Sequence, residues 1–177
     1  MSCHSIDGQT VCFQKTSVDR TLQLRHSVLW PSMPLSHVIL PEDESGTHIG
    51  AFFPGQTDPI AVISLFLENC PIDKEEIVLN NTHEQAVRFR KFACSPQYQG
   101  KGLGTQLLRY ALSIAQSEQG ATIAWCDART DSAEWYRKRG LYPFGDTFFK
   151  GPVEYVRMRI DLRDLGKPEQ DPEVLHA

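Results

Sequence analysis

Three glycines at every second position, Gly100, Gly102 and Gly104, stand between a predicted strand over residues 86–94 and a predicted helix over residues 103–119. Glycine adopts backbone conformations with positive φ and lets a ligand come close to the main chain. At the start of a helix, free N–H groups and the helix dipole both favour negative charge. The stretch therefore predicts a loop that binds an anion, and a pyrophosphate suits it best.

Two well-known phosphate-binding loops do not fit this stretch. A P-loop requires Gly-Lys followed by Ser or Thr, whereas Lys101 is followed by Gly102. A dinucleotide-binding fingerprint requires Gly-x-Gly-x-x-Gly, and the interval between Gly102 and Gly104 is one residue too short. The pattern that remains begins at Gln97 and reads Gln-x-x-Gly-x-Gly. A tight turn that binds no ligand is the alternative interpretation.

The composition excludes several classes of protein. A chain of 177 residues is long enough for one domain. A net charge of −4 with scattered basic residues argues against a nucleic-acid partner. No apolar run approaches the roughly 20 residues that cross a bilayer, and the first residues lack the pattern of a secretory signal. The sequence therefore predicts a cytoplasmic protein with no membrane partner.

The cysteines indicate neither a metal site nor a disulfide framework. The five cysteines show no close pair and no histidine at metal-ligand spacing. An odd number of cysteines suits reduced thiols better than disulfides. We therefore expect free cysteines throughout and no metal.

Hydrophobic periodicity predicts an α/β chain in which strands alternate with helices. Strands are predicted over residues 10–14, 48–53, 60–67, 86–94, 122–126, 142–149 and 155–162. Helices are predicted over 18–29, over 103–119, and from Asp131 to a stop at Gly140, with Glu134 completing a capping box. The 103–119 helix has an apolar stripe that should cover one face of a sheet, and its residues are Leu103, Leu107, Leu108, Ala111, Leu112, Ile114 and Ala115. The strand, helix and strand between residues 86 and 126 form one crossover unit. Residues 68–82 are predicted to be a polar surface connection.

The proline-containing loop over residues 30–46 carries apolar side chains that argue against disorder. We expect this loop to form one wall of a pocket, with Trp30, Met33 and Leu35 in contact with a substrate. Packing of the loop against the core is the alternative.

Two motifs together resemble the GNAT superfamily of N-acetyltransferases. The first is Gln97-x-x-Gly100-x-Gly102, which is similar to the family's acetyl-CoA signature. The second runs from Ala133 to Leu141 and resembles the pattern Ala-x-x-aromatic-Tyr-x-x-x-Gly-Phe/Leu, at the distance from the first that the family shows. The resemblance covers roughly residues 11–162 and is strongest from residue 89 onward.

The resemblance implies a single GNAT-like α/β domain over residues 10–162. Its mixed central sheet would have about six to seven strands, splayed apart between the fourth and fifth, with about four flanking helices. Residues 1–9 would be an N-terminal segment, and residues 163–177 a flexible C-terminal tail.

The resemblance also implies acetyl-CoA as co-substrate, with no metal. The thioester would lie in the gap between the splayed strands. The backbone of Phe92, Ala93 and Cys94 would bind the pantetheine arm. The pyrophosphate would be bound by the residues of the glycine loop, namely Gln99, Gly100, Lys101, Gly102, Leu103, Gly104 and Thr105.

The implied chemistry is acyl transfer from a thioester to an amine, which requires a proton donor for the leaving thiolate and a route for the amine proton. The family pattern places Tyr136 beside the thioester as general acid, although core packing is the alternative role for a Tyr next to Trp135. Candidate general bases are Glu154, Asp127 and His48, and a water relay is a further option. Related sequences carry Asn where this chain has Asp127, so its carboxylate either favours a cationic acceptor or has no functional meaning.

A primary amine on a small molecule is the acceptor that we expect. Two alternatives remain open: a protein or peptide N-acetyltransferase, and an acyl-CoA-binding module without catalytic activity. A closed apolar wall from the 30–46 loop would favour a small molecule, whereas an open acidic groove would favour a peptide. The oligomeric state is left open, with a homodimer among the options.

Overall fold

The computed structural model describes residues 1–71 and 84–165, which form an α/β domain around one mixed sheet of eight strands in the order β1-β2-β3-β4-β5-β6-β8-β7. The strands are β1 Ser2–Ile6, β2 Gln9–Thr16, β3 Thr47–Phe52, β4 Ala61–Leu67, β5 Ala86–Cys94, β6 Ile123–Arg129, β7 Tyr142–Lys150 and β8 Val153–Asp161. The α-helices of the described residues are α1 Val18–Leu29, α2 Leu103–Gln119 and α3 Ala133–Arg137. The predicted fold class is confirmed, and the described residues contain more strands and fewer helices than the numbers expected for the domain.

Parts of two predictions concern residues outside the described ranges. They are most of the polar connection over 68–82 and the greater part of the tail over 163–177. Among the described residues, no helix is long and apolar enough to cross a membrane.

The N-terminal segment over residues 1–9 contains a strand that periodicity did not indicate. Asp7 and Gly8 both have positive φ, at 52° and 75°, as a two-residue hairpin turn requires. This turn pairs Ile6 with Gln9 and places Cys3 opposite Cys12, where the two form a disulfide. The prediction that all five cysteines are reduced is therefore wrong. The hairpin turn brings together two cysteines that are separated by 9 positions in the sequence.

The helix α2 packs its apolar stripe against one face of the sheet. It begins after Gly102 and ends at Gly120, and both glycines have left-handed backbone conformations. The buried residues of the stripe are those predicted from helical spacing: Leu103, Leu107, Leu108, Ala111, Leu112, Ile114 and Ala115. They pack with side chains of β3, β4 and β5 in the main core. This packing fixes α2, the helix of the crossover from β5 to β6, against the sheet.

The helix α1 buries an arginine on the opposite face of the sheet. Arg25 is 0% exposed and donates two hydrogen bonds to the Asp43 carboxylate, at 2.9 and 3.0 Å. Its guanidinium also donates to Ser64 Oγ at 2.9 Å and to the Val38 carbonyl oxygen at 3.2 Å. Because Val38 and Asp43 belong to the 30–46 loop, Arg25 fixes that loop to the sheet.

His48 on β3 completes this buried cluster, and its partners define its tautomer. Nε2 lies 2.9 Å from the Asp43 carbonyl oxygen, which can only accept, so Nε2 carries the proton. Nδ1 lies 3.2 Å from an Arg25 nitrogen, which can only donate, and 2.8 Å from Ser64 Oγ. Nδ1 is therefore the unprotonated acceptor nitrogen, and the neutral imidazole fits the site.

Protonation of this cluster should destabilise the fold as the pH falls. Burial lowers the pKa of His48 in the folded protein, so the unfolded chain binds more protons below about pH 6.5. Burial alone would raise the pKa of Asp43, but hydrogen bonds from Arg25 and the Leu40 N–H outweigh it and lower that pKa. Stability should therefore decline first below about pH 6.5 and again below about pH 3.9. Urea unfolding over a pH series measures both declines, and His48→Gln should remove the first. An unchanged pH dependence in that variant would contradict this assignment.

The strands β5 and β6 separate soon after they begin to pair. They lie parallel over only three residue pairs, Ala86–Ile123, Val87–Ala124 and Arg88–Trp125, and no further pairing joins these two fully described strands. On the other side of β5, the register with β4 shifts between Val62 and Ser64. Lys91 lies at this irregularity with a φ of 53°, which is unusual for a residue other than glycine. The predicted gap between the fourth and fifth strands of the domain is therefore present, between β5 and β6.

Candidate active site

Two cavities meet where β5 and β6 separate. The first, which we call the loop cavity, has a volume of about 590 Å³ and lies along the glycine loop and α3. The second, the gap cavity, has a volume of about 360 Å³ and lies between β5, β6 and the 30–46 loop. Three residues line both cavities: Phe92, Ser132 and Tyr136. A ligand in one cavity can therefore reach a ligand in the other at these residues.

The glycine loop presents main-chain donors to the loop cavity. Gly100 and Gly102 have φ values of 73° and 83°, and a Cβ added at either would meet nothing within 4 Å. The backbone conformation therefore favours glycine at these two positions, and the space beside them is open to a ligand. Gly102 is the N-cap of α2, and no side chain caps the helix there. The first N–H groups of α2 remain available to an anion.

The structure brings seven of the ten predicted cofactor residues to this cavity. They are Phe92, Cys94, Gln99, Gly100, Gly102, Gly104 and Thr105. Ala93 and Leu103 do not line it, because their side chains are buried in the core at 2% and 1% exposure. Lys101 also lies outside the lining and forms an ion pair with Asp7 at 2.9 Å.

Arg139 lines the loop cavity although sequence reasoning assigned it no role. Its Nε donates to Thr105 Oγ1 at 2.8 Å, and its Nη1 donates to the Trp135 carbonyl oxygen at 2.6 Å. The guanidinium carbon lies 3.5 Å from the centre of the Trp135 ring. These contacts hold a positive charge beside the glycine loop. The available signal was the spacing of four residues from Trp135, which would place both residues on one face of the helix predicted from Asp131 to Gly140.

The helix α3 is shorter than predicted. It spans Ala133–Arg137 after a helical turn at Thr130–Ser132. Its N-cap is Ser132 without a side-chain cap, and the Ser132 hydroxyl donates instead to Asp131 Oδ1 at 3.0 Å. The predicted capping box between Asp131 and Glu134 is therefore wrong.

Tyr136 projects from α3 to the junction of the two cavities. Its ring packs against Phe89 and Trp135, with centroid distances of 5.9 and 5.1 Å. The hydroxyl makes no hydrogen bond to any residue in the described ranges. Burial raises the pKa of Tyr136 well above its usual value. The phenol therefore stays protonated and keeps a donor for a ligand at the junction.

Asp127 is the one predicted base that lines the gap cavity. Its carboxylate already faces three cations: Arg88, Lys150 at 2.7 Å and Arg157 at 3.7 Å. These partners come from β5, β7 and β8, so Asp127 joins three strands across the sheet. The carboxylate is neutralised within the protein and offers little charge to a cationic acceptor.

The other two predicted bases lie away from both cavities. His48 is 5% exposed, and both of its ring nitrogens are hydrogen-bonded within the Arg25 cluster. Glu154 pairs with Phe149 in the β7–β8 hairpin. Tyr155, its neighbour, lines the gap cavity, and side chains alternate along a strand. Glu154 therefore faces the opposite side of the sheet.

The 30–46 loop supplies one wall of the gap cavity, but through a different set of residues from that predicted. Trp30 and His37 of the loop line the cavity, next to Leu29 at the end of α1. The Trp30 and His37 rings are in edge contact, with a centroid distance of 4.9 Å. Met33 and Leu35 do not line it and are 38% and 44% exposed.

Comparisons with known proteins agree with this geometry. The sequence matches the acetyltransferase (GNAT) family over residues 16–141. It is 28% identical over 150 residues to YitI, an uncharacterized N-acetyltransferase of Bacillus subtilis strain 168, an alignment that covers 83% of this chain and 93% of that protein.

Solved structures share the fold at low sequence identity. FeeM, an N-acyl amino acid synthase from uncultured soil microbes, superposes with a TM-score of 0.68 at 12% identity, covering 92% of this chain and 93% of its own. A GNAT family acetyltransferase from Elizabethkingia anophelis with acetyl-CoA bound superposes with a TM-score of 0.59 at 12% identity, covering 85% and 97%. With the family match extending over most of the described domain, the chain belongs to the GNAT family of acetyltransferases.

Proposed function

We propose that the protein transfers the acetyl group of acetyl-CoA to a primary amine on a small molecule, by direct attack within a ternary complex. The observation that carries the proposal is the junction of the loop and gap cavities at Tyr136. One cavity has the features of a pyrophosphate site, and the other has the size of a small-molecule site.

Acetyl-CoA would lie in the loop cavity. Its pyrophosphate would accept hydrogen bonds from the first N–H groups of α2 and would face the guanidinium of Arg139. The pantetheine arm would follow the free edge of β5, at the backbone of Phe92, Ala93 and Cys94. β6 has already left this edge, so backbone groups of β5 can bond the amides of the arm. The Cys94 carbonyl oxygen already accepts one hydrogen bond, from Gln99 Nε2 at 2.9 Å, and has a second lone pair for the arm. The thioester would then reach the junction.

The acceptor amine would enter from the gap cavity and attack the thioester carbonyl. A new C–N bond forms, the C–S bond breaks, and the coenzyme A sulfur takes a proton from the Tyr136 hydroxyl. The amine proton passes to water, because neither His48 nor Glu154 lines the gap cavity and Asp127 is engaged by three cations. Water then returns a proton to the Tyr136 phenolate, which restores the acid for the next turnover. Of the proton acceptors considered from the sequence, we therefore favour the water relay.

The thiols near the site favour direct attack over a covalent acetyl-enzyme. Cys94 lines the loop cavity and Cys126 lines the gap cavity. Burial raises the pKa of Cys94 to about 11 and raises that of Cys126 as well. A thiol acts as a nucleophile only as thiolate, so both are poor nucleophiles at neutral pH.

The two alternative functions have weaker support. An open acidic groove would favour a peptide acceptor, whereas the gap cavity of about 360 Å³ is lined by five cationic residues and one acidic residue. An acyl-CoA-binding module would have no use for a protonated phenol at the end of the cofactor site. Release of free thiol from acetyl-CoA in the presence of a panel of small amines and peptides distinguishes the three.

Substitution of Gly102 tests the cofactor site. Gly102→Val should raise the Kd for acetyl-CoA by on the order of tenfold or more, because the side chain blocks ligand approach and disfavours the positive φ that aims the N–H groups. Isothermal titration calorimetry measures the change.

Gly55→Val is the matched control for this experiment. Gly55 also has a positive φ, at 76°, with nothing near its added Cβ, but it lies in the β3–β4 connection outside both cavities. Equal affinities for acetyl-CoA in the wild-type protein and Gly102→Val would refute the cofactor site.

A further inference from the structure

Cations dominate the wall of the gap cavity. Five of its lining residues carry a positive side chain, and one carries a negative one. The cations are Arg88, Arg90, Lys91, Arg129 and Lys150, and the single acid is Asp127. Since the whole chain has a net charge of −4, this concentration of positive charge is a local property of the cavity and not of the composition.

Three of the five cations have acidic partners within the protein. Arg88 and Lys150 share Asp127, and Arg88 also contacts Glu68 at 3.0 Å. Arg90 forms an ion pair with Glu42 at 3.6 Å. Asp127, Glu68 and Glu42 are thus already paired with cations of the cavity wall.

Lys91 and Arg129 are left without an acidic partner among the described residues. The Arg129 guanidinium carbon lies 5.9 Å from the centre of the Trp30 ring. Lys91 is half-buried, and burial together with Arg25 and Arg90 lowers its pKa. The two stand on the strands that flank the gap, β5 and β6. An anion between those strands could therefore meet both.

The conformation of Lys91 adds to this observation. Its φ of 53° lies in the left-handed region, which is unfavourable for a residue other than glycine. The conformation places a lysine in a cavity that is already positive. Strain of this kind tends to occur where a side chain must be held for a ligand.

We propose that the acceptor is an amine that also carries an anionic group, either a carboxylate or a phosphate, which Lys91 and Arg129 bind while the amine faces the junction at Tyr136. This inference rests on the proposed function and narrows its acceptor class. It replaces the cationic acceptor that the Asp127 carboxylate had suggested.

Paired acceptors test the inference. Amino acids are compared with their amides, and phosphoethanolamine with ethanolamine, by thiol release from acetyl-CoA. Rates are expressed per deprotonated amine, because removing the anionic group also lowers the pKa of the amine. The anionic member of at least one pair should have a kcat/KM higher by about tenfold to a hundredfold, and the two pairs separate carboxylate from phosphate.

Charge-neutral variants locate the effect. Lys91→Met and Arg129→Gln should each raise the KM for the anionic acceptor by roughly tenfold, while the KM for its neutral partner and the Kd for acetyl-CoA stay unchanged. Lys91→Arg and Arg129→Lys, which retain the charge, should recover most of the loss. Arg20→Gln serves as control, since Arg20 is exposed on α1 and lines neither cavity.

Several outcomes would overturn the inference and leave the proposed function intact. Faster turnover of the neutral amines is one, and equal losses for both members of a pair in Lys91→Met is another. A higher Kd for acetyl-CoA in either charge-neutral variant would assign the cations to the cofactor instead. If no acceptor is turned over, titration of each pair into the protein–coenzyme A complex still decides, and equal affinities would refute the inference.

Discussion

Replacing Tyr136 by Phe should lower kcat by about a hundredfold to ten-thousandfold, the range that general acid catalysis contributes. The phenol stays protonated because burial raises its pKa well above the usual value, and its hydroxyl has no protein partner in the described ranges. The variant removes this donor and keeps the ring, which packs against Phe89 and Trp135. Binding of acetyl-CoA should therefore be nearly unchanged.

Single-turnover kinetics with a saturating acceptor provide the measurement, since product release can hide a chemical step in kcat. Tyr110→Phe is the matched control. Tyr110 lies on α2 with its ring 5.7 Å from that of Phe13, and it lines neither cavity. Wild-type chemistry in Tyr136→Phe would show that the residue only packs the core. A loss of activity caused by weaker acetyl-CoA binding would show the same.

Replacing Arg25 by Met should destabilise the fold by about 3–5 kcal/mol, because it leaves the Asp43 carboxylate buried without its partner. Arg25 is 0% exposed and also donates hydrogen bonds to Ser64, Val38 and His48. A typical domain is stable by about 5–15 kcal/mol, so this single change removes a large part of the total. Urea unfolding monitored by circular dichroism measures the difference.

The double variant Arg25→Met/Asp43→Leu separates the ion pair from simple packing. Loss of both charges removes the uncompensated carboxylate, so the double variant should be more stable than Arg25→Met alone. A double variant as unstable as the sum of the two single variants would show that the pair itself carries little coupling. The exposed pair Lys15–Glu118 offers a control, since removing it should cost at most about 1 kcal/mol.

The sequence was sufficient for the parts of the fold that depend on local pattern. Helical spacing predicted the buried face of α2, and β-strand alternation followed by glycines predicted the order of β5, loop and helix. Both patterns are local, because each depends only on residues that are close together in the sequence. The gap between β5 and β6 came from the family resemblance, because periodicity carries no information on where two strands separate.

Features that depend on distant partners were missed. The roles proposed for Asp127 and His48 assumed available side chains, whereas three strands supply cations to one and the Arg25 cluster encloses the other. Each of these contacts joins residues far apart in the sequence. The hairpin of β1 was missed for a different reason, since its exposed, polar strand has no hydrophobic alternation to detect.

The short pairing between β5 and β6 makes the stability of the protein depend on its proposed cofactor. Only three residue pairs join β5 to β6, so few backbone hydrogen bonds hold the two parts of the sheet together along this line. A pantetheine arm bonded to β5 would act as a removable strand. Ligand at a hundred times its Kd stabilises a fold by about 2.7 kcal/mol, and marginal stability governs how quickly a cell degrades a protein. On the function proposed above, the abundance of this protein should therefore follow the supply of acetyl-CoA.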